Sequence, residues 1–209
     1  GQYERLNRLV NLPLDASLAE GAYYLIVQTD ALGTQPESLE NNNVTASVAS
    51  LNLSFPPLPD LRISDITVDE AASDTLLSGG PMTIRWQTRN AGTAIASSSF
   101  RERLVVKNAS GVTLLNTLLT YDAASNPLAA QGGSAARSHA FTLPDGPSGA
   151  GTLSITLTTD ADNDVVEGFS GSTPENNNST TASVVSRLRP YPDLVVNSLS
   201  VNPTTVLTG

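Results

Sequence analysis

Met82-Thr83-Ile84-Arg85-Trp86-Gln87-Thr88-Arg89 decides the fold. Met82, Ile84 and Trp86 occupy every second position, and Arg85, Gln87 and Arg89 occupy the positions between them. A period of two belongs to a strand with one buried and one wetted face. Thr152-Leu153-Ser154-Ile155-Thr156-Leu157-Thr158 has the same alternation. Working outward, strands are predicted near 61–68, 82–90, 100–107, 112–120, 136–143, 152–159 and 179–187. Turn signals separate them: Gly79-Gly80-Pro81, Asn90-Ala91-Gly92, Asn108-Ala109-Ser110-Gly111, Gly132-Gly133 and Asp145-Gly146-Pro147. No stretch has helical periodicity. About seven short strands in roughly 130 residues predict an all-β fold, an immunoglobulin-like antiparallel β-sandwich. Trp86, in phase with Met82 and Ile84, is expected to fill the space between the sheets rather than to stack on a ligand.

The chain repeats itself. Pro59-Asp60-Leu61 returns as Pro192-Asp193-Leu194, Thr29-Asp30-Ala31 as Thr159-Asp160-Ala161, and Glu40-Asn41-Asn42-Asn43 as Glu175-Asn176-Asn177-Asn178. Leu76-Leu77-Ser78-Gly79 is echoed by Val206-Leu207-Thr208-Gly209. The order is kept and the offsets stay close to one another, as in tandem repeats. Residues 59–187 therefore read as one complete β-sandwich repeat. Residues 1–56 read as the C-terminal part of a preceding repeat, and 191–209 as the first strand of a following one. Phe55-Pro56-Pro57-Leu58-Pro59 and Arg189-Pro190-Tyr191-Pro192 are the linkers, stiffened by proline.

Composition narrows the functions. The 209 residues include no cysteine, one histidine and a formal net charge of −9. Disulfides and thiolate metal sites are thereby excluded. A pI near 4.4 disfavours nucleic acid and anionic lipid, whose binding runs on Lys and Arg. No signal peptide is recognised, and no apolar run is long enough to insert in a membrane.

The ordered motifs carry a resemblance. Pro59-Asp60-Leu61 opens a strand, Arg89-Asn90-Ala91-Gly92-Thr93-Ala94 ends the next, Thr159 to Glu167 follows a late strand, and Glu175-Asn176-Asn177-Asn178 closes the set. The pattern resembles the CARDB family, the cell-adhesion-related domain found in bacteria. The resemblance covers nearly the whole chain. It implies immunoglobulin-like sandwiches in tandem within secreted or surface-anchored proteins, without enzymatic activity. The extra segment from Gly168 to Pro174 departs from the family's tighter spacing, and so bears on any geometry using both Glu167 and Glu175.

One acidic constellation stands out: Asp160, Asp162, Asp164 and Glu167, with Asn163 among them. Alternate carboxylates leaving a strand are the hard oxygen donors that Ca²⁺ prefers. An EF-hand is excluded, because Val165 stands where its glycine is required and Gly171 where its glutamate is required. Calcium bound by these four residues is one expectation; a bare Asp- and Asn-rich turn is the other. The Glu-Asn-Asn-Asn runs read as turn devices in which Asn bonds its own backbone. His139 has no second His and no Cys to join in a metal or nucleophile site, and no nucleophile elbow is present.

The expected function is a non-catalytic extracellular module, one repeat in an array that spaces a binding or catalytic head. Its expected partners are neighbouring repeats. Self-association is also expected, because Tyr23, Leu25 and Val27 in the N-terminal part would lack a covering sheet. The alternatives are a carbohydrate- or protein-binding module, using Tyr24 or Tyr121, and an accessory domain of a secreted hydrolase.

Overall fold

The structure is a computed structural model that describes residues 9–12, 18–39, 41–70, 76–168, 176–200 and 202, with backbone only at Glu70. Glu40, Glu175, the segment after Gly168 and the Val206–Gly209 echo lie outside the described residues. Eleven strands are found among those described. Four are short: β1 (Gly21–Tyr23), β2 (Ile26–Gln28), β3 (Val44–Ala46) and β4 (Leu51–Leu53). Seven follow: β5 (Leu61–Glu70), β6 (Pro81–Asn90), β7 (Phe100–Lys107), β8 (Thr113–Tyr121), β9 (Gly133–Thr142), β10 (Gly151–Thr158) and β11 (Ser179–Ser186). The helical content of the described residues is one 3-10 turn, Gly146–Gly149.

The seven long strands form two antiparallel sheets. One has the order β5-β6-β9 and the other β11-β10-β7-β8. Together they make an all-β sandwich of the expected immunoglobulin-like kind. Along β6, Met82, Ile84, Trp86 and Thr88 are buried and Arg85 and Arg89 exposed, so the period of two in the sequence is the period of burial. Across the sandwich, Met82, Ile84 and Trp86 meet Leu104, Val106, Leu153, Ile155 and Leu157 in one core. Trp86 is 1% exposed and acts as the filler its phase predicted. Burying each such large side chain contributes about 1.5–3 kcal/mol.

β5 changes parity part-way. Leu61 and Ile63 point inward before a register shift between Ser64 and Thr67, and Ile66 and Val68 pack on the core after it. Asp65 sits in the shift with φ of 53°. One extra residue at a bulge moves inward-facing positions from odd to even numbers. The apolar spacing Leu61, Ile63, Ile66, Val68 requires that step.

The first part of the chain forms two-stranded pieces, β1 with β4 and β2 with β3. Ile26 pairs with Ala46 and Gln28 with Val44. Their counterparts by sequence offset, Thr156 with Thr181 and Thr158 with Ser179, pair in the same way. Between β1 and β2 the register slips, because Ser47 Oγ accepts the Leu25 N–H at 3.1 Å and donates to Ala49 O at 2.8 Å. Tyr23, Leu25 and Val27 are 36%, 63% and 60% exposed. Their counterparts Leu153, Ile155 and Leu157 are fully buried. Among the described residues nothing covers this apolar face.

Candidate functional site

Three of the motifs that repeat in the sequence, Pro59-Asp60-Leu61, Thr159-Asp160-Ala161 and the asparagine run ending at Asn178, come together at one pole of the sandwich. β5 starts there, β6 ends there, and the connection from β10 to β11 passes there. Asn90, fully buried at the end of β6, is the node. Its Oδ1 accepts the Asp60 and Gly92 N–H groups, each at 3.0 Å. Its Nδ2 donates to Ala94 O at 2.8 Å and Leu128 O at 3.0 Å. The segment entering β5 is held by its own backbone as well. Leu58 O accepts from Thr93 N at 2.9 Å and Ala94 N at 3.1 Å, and Asp60 O accepts from Ala91 N at 2.7 Å. Gly92 makes this approach possible. A Cβ there would stand 2.4 Å from Leu58 O and 2.5 Å from Asp60 N, distances no side-chain carbon tolerates.

Glu167 and the asparagines close the pole from the other side. Glu167, 2% exposed, accepts the Leu61 N–H at 2.6 Å with Oε2 and Asn178 Nδ2 at 3.1 Å with Oε1. Asn177 Nδ2 donates to Asp60 Oδ1 at 3.1 Å. Asp60 also holds Arg62, whose Nη2 lies 2.5 Å from Oδ2, and this keeps the guanidinium pKa above its ordinary value. Asn177 and Asn178 thus reach across to two carboxylates, where the sequence suggested bonds to their own backbone. The expected turn device is a tie between the last strand and the first.

The four predicted carboxylates are not assembled around one point. Asp160, with φ of 42° and 4% exposure, accepts Asp164 N at 2.9 Å and Val165 N at 3.0 Å. Asp162 is paired with Arg101 at 2.5 Å. Glu167 faces β5 and Asn178 as above, and Asp164 is exposed at the loop tip. Among the described residues no group of three or more His, Asp or Glu is placed to hold a metal ion. The same loop occurs in the first part of the chain. Asp30, φ 39°, accepts Gln35 N and Thr34 N, each at 2.9 Å, which lowers its pKa. Thr29 N donates to Asn43 O at 2.8 Å as Thr159 N does to Asn178 O at 2.9 Å. Asp162, Asn163 and Asp164 are replaced there by Leu32, Gly33 and Thr34, so the loop's form comes from its first aspartate alone.

At the opposite pole the chain leaves through a second set of bonds. Arg187 N donates to Leu76 O and Ser78 N to Arg187 O, each at 2.8 Å. Tyr191 OH donates to Asp145 Oδ1 at 2.5 Å and accepts from Gly146 N at 2.9 Å. The tyrosine hydroxyl, then the Gly146 N–H, and Arg189 further off, hold the Asp145 carboxyl below its usual pKa.

Other sequence candidates are accounted for by packing. Tyr121 is 3% exposed and stacked on Phe100 at 5.0 Å between ring centroids, so it offers no surface to a glycan. Tyr24 is 60% exposed. His139 lies half-buried on β9, opposite Ile84. Sequence reasoning passed over Glu102. This fully buried carboxylate on the inward face of β7 accepts from Thr88 Oγ1 and from Arg137 Nε at 3.0 Å. Its signal was present, since Glu102 stands in phase between Phe100 and Leu104.

Among the described residues no helix is long and apolar enough to cross a membrane. No family model matches the chain, and no curated protein does. Solved structures resemble it. A crystal structure of the CARDB domain of a Pyrococcus furiosus protein, in complex with di-metal ions, covers 65% of this chain and 100% of its own, at 20% identity and a TM-score of 0.44. A solution structure of that domain covers 63% and 98%, at 20% identity and 0.41. A β-glucosidase from Listeria innocua in complex with glucose matches at 8% identity and 0.35, over 74% of this chain and 20% of its own. The first two belong to the family that the motifs of this sequence resemble.

Proposed function

We propose that residues 59–187 form a non-catalytic spacing module, one repeat of a tandem array outside the cell, whose linkers are built into its fold. The observation that carries this reading is the convergence of two repeated motifs and the Asn90 turn on the linker. Pro59-Asp60-Leu61, Asn90-Ala91-Gly92, Glu167 and Asn177-Asn178 act together on the segment where the chain arrives. Most polar groups of this set are turned to backbone and to one another rather than to solvent; Asn177 Oδ1 and Asn178 Oδ1 are buried without a hydrogen-bond partner among the described residues. The recurrence of Pro192-Asp193-Leu194 after the second linker fits a further repeat received in the same way.

Amide hydrogen exchange tests this. The Leu61, Thr93 and Ala94 N–H groups should exchange with the slow core of the sandwich, because each is tied to the linker or to Glu167. Gly92→Ala should speed exchange at Thr93 and Ala94 by at least tenfold while the amides of β10 stay protected. Fast exchange at all three sites in the unsubstituted chain would rule out a built-in linker.

Calcium is not required in this reading. Asp160 shapes its loop by accepting two N–H groups, and the Asp30 loop takes the same form without the later acidic residues. A ligand that binds only the folded state raises its stability as RT ln(1 + [L]/Kd). Adding millimolar Ca²⁺ after EDTA should therefore leave the melting temperature unchanged. A rise abolished by Asp162→Ala would restore the cation to the loop.

A further inference from the structure

The outer face of the three-stranded sheet carries Arg62 on β5 and Arg85 and Arg89 on β6. The register sets Arg62 directly opposite Arg89. Cβ atoms in such a pair lie about 4.5–5.5 Å apart, and like charges placed so repel. Arg85 is compensated by Asp69. Arg62 is compensated by Asp60, with Nε 3.1 Å from each carboxylate oxygen. Arg89 has no ion-pair partner among the described residues. Arg89 therefore stands beside a second arginine with no carboxylate bonded to it, although Asp65 lies at the same edge, held by Ser64 Oγ at 3.0 Å.

The two arginines border a cavity of about 540 Å³, with Ile63, Ser64, Gln131 and Gly132 on its other walls. That size is typical of small-molecule pockets. The wall at 131–132 is fixed. Gln131 N donates to Gly92 O at 2.8 Å and Gly132 N to Asn90 O at 2.7 Å. Gln131 adopts φ of 59°, a left-handed conformation that disfavours a non-glycine residue. A Cβ at Gly132 would stand 3.2 Å from Arg89 Nη2, so the glycine leaves the guanidinium room along the loop.

We infer that this cavity binds the carboxylate of a uronic acid, as a single acidic residue of an otherwise neutral glycan. A guanidinium presents paired donors that match a carboxylate, and one carboxylate beside Arg89 gives it the ion-pair partner it lacks among the described residues. The Gln131 amide suits ring hydroxyls, and Ser64 Oγ, which donates to Asp65 Oδ2 at 3.0 Å, can accept from one. The absence of aromatic residues from the lining disfavours a flat apolar ligand, and the chain's acidity disfavours a polyphosphate. This site is independent of the spacing role, and either can fail alone.

The test is an NMR titration of the full chain with methyl α-D-galacturonide, with acetate and methyl α-D-galactoside as parallel arms at equal ionic strength. The galacturonide should shift the Arg89 and Arg62 Nε–Hε signals and the Gln131 amide. Its binding should be about tenfold tighter than that of acetate, and the galactoside should give no shift. Arg89→Gln should weaken galacturonide binding about tenfold or more, as expected for loss of charge-assisted hydrogen bonds. Arg89→Lys, which keeps the charge and loses the paired donors, should weaken it too and guards against a folding defect in the first variant. Galacturonide binding no tighter than acetate, or unchanged by both variants, would overturn the assignment.

Discussion

Arg137→Met should lower the stability of the sandwich by about 3–5 kcal/mol, the cost of leaving a buried charge unpaired. Glu102 is fully buried on the inward face of β7. Its Oε2 receives Arg137 Nε at 3.0 Å from β9, so the ion pair joins the two sheets. Arg137 also stacks its guanidinium 5.3 Å from the Tyr121 ring centroid and donates to Thr120 O at 2.9 Å. Removing it strands the carboxylate among Trp86, Thr88 and Phe100. Replacing both partners has a different expected outcome. Glu102→Leu combined with Arg137→Met should recover part of the loss, because apolar substitutes for a buried pair are often neutral or stabilising, while Thr88 Oγ1 and Trp86 Nε1 lose their acceptor. Urea unfolding of the two single variants and the double variant measures the coupling. Additive losses would show that the pair does not act as a unit.

Trp86→Ala should cost a similar amount, about 3–5 kcal/mol, through lost transfer energy and the cavity left behind. Trp86 is 1% exposed, packed between β6 and the strands of the other sheet. Strands fixed by ten paired positions along β6 and β9 have little freedom to close the void. Trp86 is the only tryptophan, so the variant is followed by circular dichroism rather than fluorescence. A loss below about 1 kcal/mol would mean that the sheets collapse onto the vacancy.

The sandwich was legible because burial alternates cleanly along β6 and β10. The predicted strand at 100–107 is found at Phe100–Lys107, and the one at 82–90 at Pro81–Asn90. β9 begins earlier than its hydrophobic pattern suggests, at Gly133, because Gly133 still pairs with Asn90. Backbone pairing extended that strand beyond its apolar residues. The bulge in β5 was implicit in the spacing of Leu61, Ile63, Ile66 and Val68, but a strict period of two hides it.

The pole was half legible. Pro59-Asp60-Leu61 and the asparagine run could be read as recurring, but their meeting point could not, because Glu167 and Leu61 are brought together only by the tertiary fold. Local rules assign Asp and Asn to turns, which accounts for Asp160 and leaves Asn177 and Asn178 misread. The acidic cluster reads as a shared calcium site or as a bare turn, because closeness in sequence does not say where each carboxylate points. Arg101, far along the chain, takes Asp162 instead. Glu102 went unread for the same reason, since its partner lies on a strand of the opposite sheet.

The two linkers have a mechanical consequence. The chain arrives at one pole through Leu58–Leu61 and leaves from the other through Arg187–Tyr191. β5 and β11, the first and last strands of the sandwich, both run from the first pole to the second. A tensile force applied to the linkers is therefore directed along both strands and loads their hydrogen-bond ladders in shear, many bonds at once. Before the load reaches β5 it must break the bonds from Leu58 O to Thr93 and Ala94 and from Glu167 to Leu61. A module drawn out between a surface and a distant head would resist extension at its grips first, while its core remained closed.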